Sequence, residues 1–324
     1  MTRRPTYSAL LLSLLALASG LAQQPATGPR IEAFKATLRF DLPSHQAAVV
    51  ADLVVDAGSQ AAGRELWIAL ADNDRLRTEV QKVQGDARFS WVAREQPNAA
   101  RRVVVLRLRK EAQAGDRLPL HLEYTVTAPA AGNAELNIQP GAIHAAPTST
   151  WWPIAMLPQM DARPRDSPRR TDLRLVVPKD FLVYAGGRLE SDAEKGKVRH
   201  VDYRFESPGP AEPFFLAAPY HRREFDASGV HIVLLSLEEL PTAPGVLDEV
   251  AELAAGYRDC ARRGSATAGQ RDLVVAETPA RLDAGAIGFG DAALIGGEAF
   301  ASASGRPRFK DLALRALRCP PAEG

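Results

Sequence analysis

The feature that most constrains the fold is a series of short apolar runs, each ended by turn-forming residues. Residues 31–40, 47–55, 103–108 and 118–126 are rich in β-branched and aromatic side chains, and clusters of Gly, Asp, Asn and Pro separate the runs. Short strands divided by such turn residues are typical of an antiparallel β-sandwich. The sequence therefore predicts a mainly β fold that begins with a sandwich.

A second series of strands extends this region. Residues 171–178 place alternate apolar side chains on one face, and residues 230–236 form the last apolar run of the series. Between the two series, we interpret Trp151 and Trp152 as half-buried anchors at the seam between sheets, with an exposed stacking platform as the alternative. The predicted sandwich domain spans residues 23–240.

The stretch from residue 246 onward has a different periodicity. Residues 246–257 place apolar side chains three and four positions apart, which predicts an amphipathic helix. The segments that follow are an apolar strand at 271–277, a small-residue loop at 284–290, an apolar run at 292–295 and a helix-like run at 309–317. We therefore predict a separate, incomplete α/β lobe at residues 245–324.

The amino terminus has the pattern of a secretory signal peptide. A short basic region at residues 2–4 precedes an apolar core at residues 9–17, and small residues at 18–22 follow it. The apolar core is shorter than the roughly 20 residues that a membrane span needs. We expect residues 1–22 to be removed, and the mature protein to be periplasmic or secreted.

Charge and composition give few indications of a partner. The chain has 40 basic and 39 acidic side chains, a net charge of +1, and no obviously polybasic face. Nucleic acid is therefore not an expected partner. No later apolar run is long enough to span a membrane. A peptide or protein ligand is compatible with the sequence, which does not predict an oligomeric state.

The two cysteines, Cys260 and Cys319, leave two possibilities open. An oxidising compartment would allow a disulfide between them, and two unpaired thiols are the alternative. No histidine lies near either cysteine in the sequence, so they do not form a zinc-binding motif.

Several segments, taken in order, resemble the aminopeptidase N family of gluzincin zinc metallopeptidases. The small-residue loop reads Gly285-Ala286-Ile287-Gly288-Phe289, where that family has a G-A-M-E-N-like segment between two strands. The weaker matches in the sandwich are Trp151-Trp152-Pro153, Val176-Val177-Pro178, Val183-Tyr184-Ala185-Gly186-Gly187 and Pro213-Phe214-Phe215-Leu216. The resemblance implies a saddle-like sandwich followed by part of a thermolysin-like lobe.

The resemblance also implies a role for the small-residue loop. In the family it runs as an edge strand beside the bound peptide, pairs with it through the backbone, and holds its amino terminus with the Glu. Gly285 and Ala286 match, Ile287 takes the place of the Met, and Gly288 stands where the Glu would be. We predict Gly285, Ala286, Ile287 and Gly288 as substrate-binding residues, with a Gly-rich structural turn as the alternative. A dinucleotide-binding loop is a weaker possibility because the glycines do not open a helix directly after a strand.

The zinc-binding motif of the family, H-E-x-x-H, does not occur in the sequence. A catalytic zinc needs three protein ligands, two of them from histidines four residues apart on one helix. The six histidines are His45, His121, His144, His200, His221 and His231, and none of them forms such a pair. We therefore expect no zinc or other cofactor and assign no catalytic residue. A pairing of His221 with His231 across a hairpin is a weaker alternative for a metal site.

Two functional hypotheses follow. The first is an exported aminopeptidase N-like protein that lacks the zinc-binding motif and is inactive alone or is a truncated product. The second is a non-enzymatic extracytoplasmic module whose β-sandwich binds a peptide or a protein. A lobe separated from its partner should also expose apolar surface, and we expect Leu312, Leu314 and Leu317 to provide it.

Overall fold

The structure is a computed structural model. It describes residues 28–58, 65–73, 75–85, 89–96, 101–113, 115–146, 149, 151–156, 168–206, 213–240, 244–262, 272–280, 282, 285–289, 291–297 and 309–319. The predicted signal peptide lies outside the described residues.

The described residues form twenty strands and two helices. The strands are β1 (Arg30–Asp41), β2 (Gln46–Asp56), β3 (Glu65–Ala71), β4 (Arg77–Gly85), β5 (Phe89–Gln96), β6 (Arg101–Leu108), β7 (Arg117–Thr127), β8 (Leu136–Gln139), β9 (Ala142–Ala145), β10 (Ile154–Met156), β11 (Arg170–Pro178), β12 (Leu182–Ala185), β13 (Arg188–Lys195), β14 (Val198–Glu206), β15 (Phe215–Ala218), β16 (His221–Ala227), β17 (Val230–Ser236), β18 (Leu273–Thr278), β19 (Ala286–Phe289) and β20 (Ala292–Gly296). The helices are α1 (Pro244–Arg262) and α2 (Phe309–Ala316).

The strands form four sheets, which we name by position. The outer sheet has the order β13-β14-β11-β1-β2-β7-β4, and the inner sheet has the order β10-β3-β6-β5. The bridging sheet is β12-β15-β9-β8, and the mixed sheet is β16-β17-β18-β20-β19. Neighbouring strands are antiparallel except for the pairs β1–β11, β17–β18 and β18–β20. The predicted mainly β fold, with a sandwich followed by an α/β lobe, is confirmed.

The sandwich core lies between the outer, inner and bridging sheets. Alternate residues of β2 point into it, because successive side chains of a strand point to opposite faces. Trp151 and Trp152 are fully buried, and Trp151 contacts Phe34 of β1 and Phe215 of β15. The hydroxyl of Tyr124 donates a hydrogen bond to the Trp151 carbonyl at 3.1 Å. The tryptophans are therefore seam anchors and not an exposed platform, but they are fully buried where we predicted half-buried side chains.

The mixed sheet is covered on both faces. Side chains of α1 and α2 pack on one face. The opposite face packs against the bridging sheet, whose Leu216 and Ala218 point toward it while Phe215 and Ala217 point into the sandwich core. The sheet starts at β16, so it contains strands from both sides of residue 240. The bridging sheet thus joins the sandwich to the lobe through a shared apolar layer.

Helix α2 is buried where we predicted an exposed apolar surface. Leu317 is only 8% exposed, and Leu312 and Leu314 are partly buried in the same apolar cluster. Leu314 lies over Gly256 of α1, and Leu312 lies over Gly285. The prediction about these leucines is wrong because α1 and the β19 edge of the mixed sheet already provide apolar partners for them.

Both ends of α2 are attached to α1. Near the amino end, the Glu249 carboxylate accepts a hydrogen bond of 3.0 Å from the backbone N–H of Lys310, which satisfies one of the unpaired donors of a helix start. Just past the carboxyl end, Cys319 forms a disulfide with Cys260 of α1. The disulfide alternative for the two cysteines is therefore the one that the structure supports.

Candidate functional site

Strand β19 lies at one end of the mixed sheet and carries three of the predicted substrate-binding residues, and the fourth, Gly285, directly precedes it. The amide of Gly296 donates to the carbonyl of Gly285 at 3.0 Å, so these two residues form a hydrogen-bonded pair of the antiparallel ladder. Such pairs alternate along a ladder, and Ile287 opposite Leu294 is the next one. The N–H and C=O groups of Ala286 and Gly288 consequently point to the open edge, where no other described strand pairs with β19.

The two faces of β19 meet different neighbours. Ile287 packs in the layer shared with the bridging sheet, whereas Ala286 packs in the cluster that contains α1 and α2. Gly288 points to the same side as Ala286, directly under the end of α2. A Cβ built on Gly288 would lie 2.0 Å from the carbonyl oxygen of Ala316. Gly288 therefore has a clear packing role, and a peptide-binding role for these residues remains a prediction.

Helix α2 is the first helix after β20 whose bounds the structure gives, and it contains no histidine. No choice of register therefore gives the H-E-x-x-H motif on this helix. The Lys310 ammonium forms an ion pair with Glu252 of α1. Asp311 is the one carboxylate of α2, and the helix has no imidazole or thiolate. It therefore does not supply the ligand set of a catalytic zinc, which needs three protein ligands.

The histidines of the described chain do not converge. His121 lies between Asp52 and Glu123 on the outer sheet, and His144 is buried between the bridging and mixed sheets. His221 pairs with Ser236 at one end of the β16–β17 hairpin, whereas His231 lies opposite Asp226 near the other end. The alternative of a metal held by His221 and His231 is therefore wrong. Within the described residues, no group of three His, Cys, Asp or Glu side chains could hold a metal ion.

A buried polar contact joins the bridging sheet to the mixed sheet. The His144 Nε2–H donates to the Asn133 carbonyl at 3.0 Å, and Nδ1 lies 3.4 Å from the Thr278 hydroxyl at the end of β18. Burial lowers the pKa of His144 to about 4, so the ring is neutral at pH 7. No sequence motif indicated a role for His144. Its only local signal was a histidine within an otherwise small and apolar strand.

Replacing His144 with Gln is expected to reduce the amount by which the free energy of unfolding falls as the pH is lowered. The folded-state pKa of about 4 lies below the ordinary value of 6.5, so protons favour the unfolded chain as the pH falls between these values. Between these two pH values, the free energy of unfolding of the wild-type protein should fall by up to about 3 kcal/mol more than that of the variant. Urea unfolding at a series of pH values measures the difference. Parallel curves for the two proteins would contradict a neutral, buried His144.

Glu277 is a second buried polar residue that the sequence analysis did not single out. Its carboxylate accepts a 2.7 Å hydrogen bond from the backbone N–H of Leu237, and its carbonyl accepts one of 2.9 Å from the Tyr220 hydroxyl. Burial raises the pKa of Glu277 above its usual range. The residue ties the ends of β17 and β18 together next to the bridging sheet.

None of the helices in the described part of the chain is both long and apolar enough to cross a membrane. A comparison with protein-family models finds no matching family. No curated protein matches the chain either.

Solved structures of zinc metallopeptidases do match. One is a Glu-to-Ala mutant of the M1 zinc metallopeptidase from Deinococcus radiodurans, at 16% identity and a TM-score of 0.59, covering 90% of this chain and 63% of that one. The same enzyme bound to a Tyr-Ser-Ala substrate matches at 18% identity and a TM-score of 0.57, covering 83% of this chain and 60% of that one. A mutant of a two-domain M1 zinc metallopeptidase bound to L-arginine matches at 17% identity and a TM-score of 0.58, covering 90% of this chain and 64% of that one. The chain thus spans less than two thirds of each of these proteins.

Identities this low establish the fold and leave the chemistry open. The matched region includes the sandwich and extends into the lobe, since it covers 90% of this chain. The resemblance to the aminopeptidase N family is thus confirmed at the level of structure. The chain has the fold of the M1 zinc metallopeptidases over nearly its whole length.

Proposed function

We propose that this chain is an exported protein with an aminopeptidase N-type fold that binds extended peptides and, as this polypeptide, does not hydrolyse them. The observation that carries the proposal is that α2 contains no histidine and that the sequence has no H-E-x-x-H motif. Without imidazole ligands this helix cannot place a zinc-bound water beside a peptide. We derive no hydrolytic step through a metal.

Export is supported by two independent features. The first is the basic, apolar and small-residue order of residues 1–22. The second is the disulfide between Cys260 and Cys319, because structural disulfides persist mainly in oxidising compartments. Amino-terminal sequencing of the protein recovered from outside the cytoplasm tests the proposal. A mature chain starting near Gln23 is expected, and an intact cytoplasmic chain starting at Met1 would contradict export.

Peptide binding is supported by the edge of β19. The outward N–H and C=O groups of Ala286 and Gly288 can pair with an extended peptide by strand addition, in which main-chain hydrogen bonds supply much of the affinity. The edge contains no charged side chain over residues 286–289. Since Gly288 replaces the Glu that holds the peptide amino terminus in the family, we expect weak selectivity for a free amino group.

Replacing Ala286 with Pro is expected to weaken binding of the Tyr-Ser-Ala peptide roughly tenfold, because it removes one outward N–H from the edge. Proline is tolerated where its missing N–H faces the open side of an edge strand, so the fold should survive. Calorimetric titration with Tyr-Ser-Ala measures the affinity.

Ile287→Pro is the matched control for this substitution. Its N–H faces β20, so we expect loss of a ladder hydrogen bond and of stability instead of a selective effect on the peptide. A peptide carrying an N-methyl group should also bind more weakly. If Ala286→Pro binds the peptide as tightly as wild type, the site lies elsewhere, and the sandwich-binding hypothesis becomes the better one.

Purified protein is expected to contain no stoichiometric zinc and to leave aminoacyl-amide substrates intact. The reason is the absence of the two helix histidines that such a site requires. Elemental analysis and release of the amine measure the two properties. Turnover that a chelator abolishes and added zinc restores would contradict the proposal.

A further inference from the structure

The long edge strands of the sheets differ in how they are protected from pairing with another chain. Exposed edges normally carry charges, bulges or a covering element that discourage such pairing. Strand β13 is exposed throughout and has five charged residues among eight, namely Arg188, Glu190, Asp192, Glu194 and Lys195. Strand β16 has four charged residues among its seven, and strand β4 has three charged residues and a bulge between Val80 and Lys82.

Strand β5, the last strand of the inner sheet, has less of this protection in the described part of the chain, since its two charged residues, Arg94 and Glu95, lie toward one end. Its residues 89–93 read Phe-Ser-Trp-Val-Ala and carry no charge. Trp91 is 41% exposed and Val92 is 36% exposed. Because neighbouring residues of a strand point to opposite faces, apolar surface is accessible on both faces of this edge. Among the described strands, only β6 pairs with β5.

The sequence of β5 suits pairing with itself. When a two-fold axis perpendicular to the sheet relates two antiparallel edge strands, a given residue points to the same face of the sheet in both copies. Each residue can therefore lie opposite only a residue of the other copy that is an even number of positions away in the sequence. With the axis at Val92, Val92 meets its own copy, Trp91 meets Ala93 of the second copy, and Ser90 meets Arg94 of the second copy. A large side chain then lies beside a small one, and no like charges oppose each other. An axis at Ala93 would instead set Val92 against Arg94.

We propose that β5 is a homodimer interface, in which two copies of this chain join their inner sheets into one continuous eight-stranded sheet about an axis at Val92. The contact is one strand wide and is therefore in the smaller class of interfaces, so the dimer should be weak and concentration-dependent. The exposed Trp91 rings, one from each copy, provide the apolar anchors, since tryptophan is the residue most often dominant in binding.

Sedimentation of the purified protein over concentrations from roughly 1 to 200 μM tests for the dimer, the range expected for a small interface. Trp91→Lys should weaken dimerisation at least about tenfold. The controls are Leu189→Lys on β13 and Leu247→Lys on α1. Both replace leucines that are about half exposed, at 51% and 48%, and both should leave the dimer unchanged.

Opposite charges at Ser90 test the register itself. Ser90 is exposed, so either substitution should leave the fold intact. Ser90→Lys puts two ammonium groups beside Arg94 of the opposite copies and should weaken the dimer several-fold, whereas Ser90→Glu creates two ion pairs and should strengthen it by roughly the same factor. Effects of equal sign from the two substitutions would overturn the register.

Symmetric crosslinking gives a second, independent measurement. In this register the two Val92 Cα atoms would lie about 4.5 to 5.5 Å apart, which a disulfide can span. Val92→Cys should therefore form a covalent dimer under oxidation, while Leu189→Cys should not. A protein that stays monomeric over the whole concentration range, or a dimer that tolerates Trp91→Lys unchanged, would overturn the proposal.

Discussion

Replacing Gly288 with alanine is expected to lower the free energy of unfolding by about 3 kcal/mol or more. The added Cβ would lie 2.0 Å from the carbonyl oxygen of Ala316 and 3.2 Å from the backbone nitrogen of Leu317. These are backbone atoms, so no side-chain rotation relieves the clash. The end of α2 cannot easily retreat either, because the disulfide at Cys319 holds it to α1. Urea unfolding followed by circular dichroism measures the loss.

Gly245→Ala is the matched control for this prediction. No atom lies within 4 Å of a Cβ at Gly245, which is in the first turn of α1. Alanine has the higher helix propensity, so this substitution should be neutral or stabilise by up to about 1 kcal/mol. Equal stability of Gly288→Ala and wild type would mean that α2 does not pack on β19.

Removing the disulfide with Cys260→Ser and Cys319→Ser together is expected to destabilise the chain by roughly 4 kcal/mol. The two cysteines are separated by 59 residues, and a crosslink that closes so long a loop removes much conformational freedom from the unfolded chain. The loss should be seen as a lower urea midpoint.

Reduction provides the control for the disulfide prediction. A reductant should lower the midpoint of the wild-type protein to that of the double variant and leave the variant unaffected. If the wild type unfolds at the same urea concentration with and without reductant, the crosslink is absent or contributes nothing to stability.

Local patterns predicted much of the architecture. Period-two alternation is maintained along β2, where every second residue from Ala47 to Val55 is buried, and this is the signal of a half-buried strand. The spacing of Val246, Val250 and Leu253 likewise predicted the face that α1 buries. Both signals are properties of neighbouring residues in the chain, which is why sequence alone was sufficient.

Non-local packing limited the remaining predictions. Short apolar runs such as β17 can join any sheet, and only the parallel pairing of Ile232 with Leu273 places β17 in the mixed sheet. The burial of Leu317 was mispredicted because it depends on where α1 and β19 lie. The contact between His144 and Thr278 joins residues 134 positions apart, and no local pattern indicates it.

The candidate site was only partly predictable from the sequence for the same reason. The small residues alone predicted a loop at 284–290, whereas residues 286–289 form strand β19. Only the resemblance of Gly285 and Ala286 to the family segment implied an edge strand here. The sequence could not show that Gly288 lies under the Ala316 carbonyl, since that contact requires α2 to be in place. The glycine that stands in the place of the family's Glu therefore also has a packing function.

The central claim is that this fold presents a peptide-binding edge without zinc-dependent hydrolysis. The most direct test is to incubate the protein with the Tyr-Ser-Ala peptide and added zinc, measure binding by calorimetry, and analyse the recovered peptide by mass spectrometry. We predict saturable binding that Ala286→Pro weakens, with the peptide recovered intact. Cleavage of the peptide that a chelator prevents, or the absence of any binding, would contradict the account.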